Sequence, residues 1–105
     1  MTTVDDPVLT RFRSALDAAY GDRLARVVLF GSRARGDHRP DSDYDVAEFL
    51  KDYRSFGTES KRLAEIEVDV LYDMGALIGA MPLAEGADQE RTSFMAELRR
   101  DGIDL

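Results

Sequence analysis

The sequence predicts an α/β (α+β) fold, in which helices cover one face of a small mixed β-sheet. Three observations support this prediction. An amphipathic helical pattern follows Pro7, two β-forming runs flank a Gly-Ser dipeptide and a polar loop, and further helical and strand-like segments follow up to the C-terminus. Since 105 residues can bury one modest core, we expect a single domain over residues 1–105.

The composition is that of an acidic globular protein. The chain has 44% hydrophobic and 33% charged residues, a formal net charge of −7 and no cysteine, which excludes disulfides and thiolate metal sites. It has no long apolar run, and MTTVDDPV lacks a signal-peptide pattern, so we expect no membrane span and a cytoplasmic location. This charge does not suit general DNA or RNA binding, but it does suit a basic protein partner.

The first half of the chain begins with a predicted helix and a predicted strand. Asp6 as N-cap and Pro7 at the first helical position mark the start of the helix, and Gly21 marks its end. The run over residues 27–30 predicts a buried strand that leads into the Gly-Ser dipeptide. We expect a helical turn over residues 33–36 and a polar loop before the next strand.

The second strand is predicted over residues 43–50. Alternation turns Tyr44 toward the helices and places Asp43 and Asp45 together on the other face. Glu48 then falls on the helix side, where a charged residue is unexpected. Two explanations remain open: the strand emerges into solvent by residue 48, or a bulge shifts its register.

The second half continues with alternating segments. They are predicted as a helix over residues 56–66, a strand over 67–72, an edge strand over 77–83, a helix over 88–100 and a short strand or tail over 103–105. In the first of these helices we expect Phe56, Leu63 and Ile66 to face inward. In the strand over 67–72, Asp69 lies between two valines, where Asp is disfavoured, and such a broken local rule indicates function.

The pair Asp43 and Asp45 is the first half of a candidate site. Side chains two residues apart in a strand have Cβ atoms roughly 6–7 Å apart. Two ionised carboxylates at that distance repel by about 2–3 kcal/mol at an effective dielectric constant of 20. A cation between them would relieve this repulsion. Mg²⁺ suits the position because it accepts one or two protein carboxylates and takes its other ligands from phosphates and water.

The dipeptide Gly31-Ser32 is the second half of that site. Glycine lets the backbone approach a ligand closely, and the free N–H groups of a helical turn that follows it attract an anion. Ser32 adds a hydroxyl group, while Arg33 and Arg35 add positive charge. A phosphate-binding turn about ten residues from a metal-binding pair predicts a nucleotide–metal site.

The same residues carry a family resemblance. The pattern Gly-Ser, a short loop and Asp-x-Asp resembles the signature of the nucleotidyltransferase superfamily that includes DNA polymerase β. The fuller string GSRARG…PDSDYD resembles the minimal nucleotidyltransferases, small proteins that are usually the antitoxins of HEPN-domain toxins. The resemblance extends from Val27 to the C-terminal DGIDL and so covers most of the chain.

The resemblance implies how the acidic residues would act. Asp43 and Asp45 would hold Mg²⁺ on a nucleotide triphosphate, with Mn²⁺ as a substitute. In this superfamily a third Asp from a neighbouring strand completes a two-metal site, and Asp69 is our candidate for it. Glu67 lies on the same predicted face and is the rival candidate.

The resemblance also implies a reaction. Gly31, Ser32 and Arg35 would hold the phosphates of ATP, and AMP would pass to a tyrosine of a HEPN ribonuclease toxin, with which the chain would form a hetero-oligomer. Two other functions remain open. One is an antitoxin that neutralises its toxin by contact alone. The other is a small-molecule nucleotidyltransferase, although those enzymes carry a further domain that holds the acceptor.

Overall fold

The computed structural model describes residues 5–105 as four helices and one four-stranded sheet. The helices are α1 (Pro7–Tyr20), α2 (Ser32–Arg35), α3 (Phe56–Met74) and α4 (Ser93–Asp101), and the strands are β1 (Leu24–Phe30), β2 (Tyr44–Leu50), β3 (Ile78–Ala84) and β4 (Ile103–Asp104). Residues 1–4, which begin the segment MTTVDDPV, lie outside this range. Within residues 5–105, no helix combines the length and the apolar composition needed to cross a membrane.

The ends of α1 confirm the predicted helix signals. The Asp6 carboxylate accepts the Val8 N–H at 2.8 Å, and Pro7 occupies the first helical turn. Gly21 ends the helix with a φ of 54°, a conformation that costs other residues energy. The second carboxylate oxygen of Asp6 accepts the Tyr44 hydroxyl at 2.8 Å, so the same cap ties α1 to β2.

The sheet has the strand order β3-β2-β1-β4. Strand β1 runs antiparallel to both β2 and β4, and β3 runs parallel to β2. The mixed sheet and the α/β class are therefore confirmed. The short C-terminal strand β4 is also confirmed, as is the position of β3 at an edge of the sheet. An edge strand tolerates Pro82 because it needs fewer N–H donors.

The two faces of the sheet carry different cores. Helices α1 and α3 cover one face, where Tyr44, Val46 and Leu50 of β2 meet apolar residues of both helices. Helix α4 covers part of the other face, where Leu98 packs with Ala47 and Phe49, so the helices are not confined to one face as the sequence predicted. Because Asp45 is two residues before Ala47, it belongs to the α4 face and lies across the sheet from α3.

The predicted strand over residues 67–72 is wrong, because these residues continue α3 as far as Met74. Leu63, Ile66 and Val70 are all buried, and their spacing is helical. After Gly57 in the first turn, no glycine or proline interrupts the helix until Gly75, which ends it in the left-handed conformation. The apolar face therefore outweighs the β propensity of the valines.

Two side chains lie differently from the sequence-based expectation. Phe56 is exposed at the first turn of α3 instead of facing inward, although Leu63 and Ile66 are buried as expected. Glu48 neither emerges into solvent nor follows a bulge. It is fully buried, and the only register shift between β1 and β2 lies between Leu24 and Arg26.

Candidate active site

The turn after β1 requires glycine at position 31. Gly31 has a φ of 75°, which disfavours any residue with a Cβ atom. A Cβ atom added there would also overlap the Asp45 carboxylate, lying 3.2 Å from its Cγ. The turn therefore passes directly against the second aspartate, and the two halves of the candidate site touch.

Helix α2 begins directly after this turn. The Gly31 carbonyl oxygen accepts the N–H groups of Ala34 and Arg35, each at 3.1 Å. The N–H groups of Ser32 and Arg33 belong to the first turn and are not needed by the helix itself. The half-buried Ser32 hydroxyl and these N–H groups can donate hydrogen bonds to a phosphate group that lies against the turn.

Asp43 and Asp45 lie at the start of β2, the first exposed and the second half-buried. The pKa of Asp45 is raised, chiefly by burial and then by the negative charge of Asp43, while Arg35 acts in the opposite direction. Both causes disfavour the negative charge on Asp45. Two oxygen ligands with this excess of negative charge fit Mg²⁺, whose remaining ligands come from phosphate and water.

The register of the sheet places Gly79 of β3 directly beside Asp45. A Cβ atom on Gly79 would lie 3.5 Å from Asp45 Oδ1, so the carboxylate is held between two glycines, Gly31 and Gly79. The neighbouring strand therefore supplies space at this position and not a third carboxylate. This role of Gly79 depends on strand register, which the sequence did not reveal.

The two arginines of α2 have different surroundings. Arg33 lies 3.8 Å over the Tyr44 ring and donates to the carbonyl oxygens of Pro40 and Ser42, so it holds the loop before β2. Arg35 is exposed and contacts the carboxylates of Asp37 at 3.2 Å and Glu97 at 3.4 Å. Exposed ion pairs are weak, so Arg35 can turn toward a phosphate at little cost.

Helix α4 brings one further carboxylate to this region. Glu97 contacts Arg35, and its negative charge is among the causes that raise the pKa of Asp45. Sequence reasoning did not single out Glu97, since the last helix offered only an apolar pattern and no motif. Its position follows from Phe94 and Leu98, which pack α4 onto the sheet face that carries Asp45.

Neither candidate for the third carboxylate joins the pair. Asp69 is exposed on α3, which covers the opposite face of the sheet. Glu67 accepts the Ala80 N–H at 3.1 Å and so links α3 to β3. Within the described range, no three acidic or histidine side chains are close enough together to hold a metal ion. The expectation for Asp69 depended on a strand that does not exist.

Comparison with known families agrees with this fold. Residues 9–99 match the nucleotidyltransferase domain family, and the chain belongs to that family. A curated relative from Methanocaldococcus jannaschii, named "Putative protein adenylyltransferase MJ0141", is 28% identical over 98 residues, covering 93% of this chain and 95% of the relative. The chain is thus a nucleotidyltransferase whose relatives are named for transfer to proteins.

Solved structures confirm the fold. A nucleotidyltransferase from Sulfolobus solfataricus, described as putative, superposes with a TM-score of 0.67 at 19% identity, covering 92% of this chain and 75% of that one. A toxin–antitoxin complex crystallised with AMP-PNP superposes with a TM-score of 0.64 at 14% identity, covering 90% of this chain and 69% of the matched chain. The fold is therefore shared with the matched chains of both structures.

Proposed function

We propose that this protein is an antitoxin that transfers AMP from ATP to a tyrosine of a HEPN-domain toxin in the cytoplasm. The observation that carries the proposal is the Asp45 carboxylate, which lies against the Gly31 turn and feels the negative charge of Asp43. The curated relative supports a protein as the acceptor, and the toxin–antitoxin structure with AMP-PNP supports a toxin and a nucleotide. The net charge of −7 favours a basic partner.

The residues of the site have separate roles in this reaction. Asp43 and Asp45 would hold Mg²⁺, and that ion would supply the positive charge that neutralises the triphosphate. The Gly31–Ser32 turn and Arg35 bind the phosphates and keep the α-phosphorus beside the pair. The acceptor oxygen bonds to the α-phosphorus as the bond from that atom to the bridging oxygen breaks. Pyrophosphate leaves, and the acceptor hydroxyl releases its proton.

Asp69, the expected third carboxylate of a two-metal site, lies across the sheet. Asp43 and Asp45 are the carboxylates that would hold metal, and Glu97 is the remaining carboxylate near Asp45. We therefore leave Asp69 out of the proposed site.

Labelled ATP tests the proposed reaction. The chain is incubated with Mg²⁺ and a purified cognate HEPN-domain protein, once with ATP labelled at the α-phosphate and once at the γ-phosphate. We expect label on the partner from the α position alone, which separates adenylyl transfer from phosphorylation. Asp43→Asn and Asp45→Asn should abolish it. Neutralisation of the toxin without any label would favour the contact-only antitoxin.

A further inference from the structure

The exposed apolar side chains of this protein are concentrated in one region. Among the described residues, all the exposed large hydrophobic side chains except Phe56 lie between positions 68 and 81: Val68, Leu71, Tyr72, Met74, Leu77 and Met81. We call these six residues the α3–β3 surface. Tyr72 is 85% exposed and Leu77 57% exposed. Single exposed apolar residues are ordinary, but a group of this kind marks an interaction site.

The helical part of this surface is opposite the core. Ile66 and Val70 are buried, while Val68 and Tyr72 are one turn apart on the outward side. Leu71 lies one turn after Glu67, whose carboxylate reaches the Ala80 N–H of β3 at 3.1 Å. Leu77 and Met81 are exposed at the edge strand and lie on the same sheet face as Asp45, so the α3–β3 surface extends around the edge of β3 from one face of the sheet to the other.

The edge of β3 does not favour pairing with another strand. The Ala80 N–H already donates to Glu67, and Pro82 has no N–H to donate. Such features protect an edge strand from edge-to-edge association, including association with a second copy of the chain. The α3–β3 surface is therefore suited to contact through side chains.

Acidic residues border the apolar row of α3. Glu65 and Asp69 are both exposed and one turn apart, next to Val68 and Tyr72. The whole chain carries a net charge of −7. The complementary surface is thus apolar at its centre and edged with lysine or arginine.

This surface also reaches the candidate active site. Leu77 and Met81 flank Gly79, which lies beside Asp45 in the sheet. The Leu77 carbonyl oxygen accepts the Tyr44 N–H at 3.0 Å, next to the aspartate pair. A protein that covers Leu77 therefore lies at the mouth of the nucleotide site, and holding both reactants together is how such a transfer is accelerated.

We propose that the α3–β3 surface is the docking site of the protein acceptor, a partner with an apolar centre and a basic border. This inference rests on the proposed function and assigns the partner's position. It also gives Asp69 a role at the docking surface instead of at the metal. The proposed contact is between side chains, with the acceptor hydroxyl brought past β3 to the α-phosphate.

The substitution Tyr72→Asp tests this proposal, with Phe56→Asp as the matched control. Both residues are exposed on α3, so neither substitution should impair folding, which thermal melts would check. Calorimetry with the cognate HEPN-domain protein should show binding weakened at least about tenfold by Tyr72→Asp, as for an aromatic hot spot. Phe56→Asp should leave binding unchanged, and both variants should bind Mg²⁺ and ATP like the wild type.

Each other outcome has a definite meaning. Wild-type affinity of Tyr72→Asp for the HEPN protein would overturn the proposal, as would failure of the wild type to bind it. A wild-type dimer in light scattering that Tyr72→Asp dissociates would also overturn it, since the occupant would then be a second copy. If Tyr72→Asp loses binding but the wild type transfers no AMP, the docking site stands and the proposed catalysis fails.

Discussion

Glu48 places a carboxyl group without a hydrogen-bond partner inside the apolar core. It is fully buried in β2 between Val46 and Leu50, and neither of its carboxylate oxygens has a hydrogen-bond partner. Burial, together with the negative charge of Glu67, raises the pKa of Glu48 well above its usual value. Such a group is better tolerated as the neutral acid, and each rise in pH makes the folded state less favourable.

We predict that Glu48→Leu stabilises the protein, by about 1–3 kcal/mol at pH 8, the cost of one unpaired buried polar group. Because the folded pKa is raised, the contribution of Glu48 is fully present below its unfolded pKa and is lost as pH rises toward the folded pKa. In urea melts, the difference in free energy of unfolding between Glu48→Leu and the wild type should therefore increase from pH 5 to pH 8. Glu85→Leu, at an exposed position, is the control. A less stable Glu48→Leu variant at pH 8 would contradict this account.

Gly31 is the residue at which the backbone and the site constrain each other most. We predict that Gly31→Ala lowers the melting temperature and weakens the binding of Mg²⁺ and ATP, since alanine is strained at this φ and overlaps Asp45. Gly86→Ala separates backbone strain from overlap with a neighbour. Gly86 has a φ of 90° with open space around it, so an alanine there is strained but overlaps nothing. Equal losses of nucleotide binding in the two variants would mean that the overlap with Asp45 has no effect.

At the scale of elements, the position of Asp69 follows from the helical conformation of residues 67–72 in α3. The alternation Val-Asp-Val predicts a strand over six residues, whereas the buried positions 63, 66 and 70 extend a helix over 19 residues. The longer apolar pattern prevails because one face of a helix buries more surface than an isolated short run can. The metal role of Asp69 depended on the shorter pattern.

Alanine substitutions distinguish a helix from a strand in this segment. Val68 and Val70 would share one face in a strand, but in α3 Val70 is fully buried and Val68 is 48% exposed. We predict that Val70→Ala lowers the free energy of unfolding by about 2 kcal/mol and Val68→Ala by less than about 0.5 kcal/mol. Urea unfolding monitored by circular dichroism gives both values. Similar losses for the two variants would favour the strand.

At the scale of the whole molecule, local motifs were predictable and long-range register was not. Gly31, Ser32, Asp43 and Asp45 could be placed together because an i, i+2 pattern and a turn motif act over a few residues. The whole domain, residues 1–105, remains our expectation for a single unit.

Other features depend on contacts distant in sequence. Gly79 beside Asp45 follows from strand pairing, and Glu97 beside Arg35 follows from the packing of α4. Neither contact has a local sequence signal, because each joins residues on different elements. Alternation along β2 did place Glu48 on the helix side, but its full burial there was not predicted.

In the proposed site, Asp43 and Asp45 hold the metal and nucleotide without Asp69. Titration calorimetry with ATP and Mg²⁺ tests this assignment directly and requires no partner protein. We expect the wild type to bind, Asp43→Asn and Asp45→Asn to bind more weakly by at least about tenfold, and Asp69→Asn to bind like the wild type. If Asp69→Asn instead loses binding while either substitution of the pair leaves it intact, the site described for this protein is wrong.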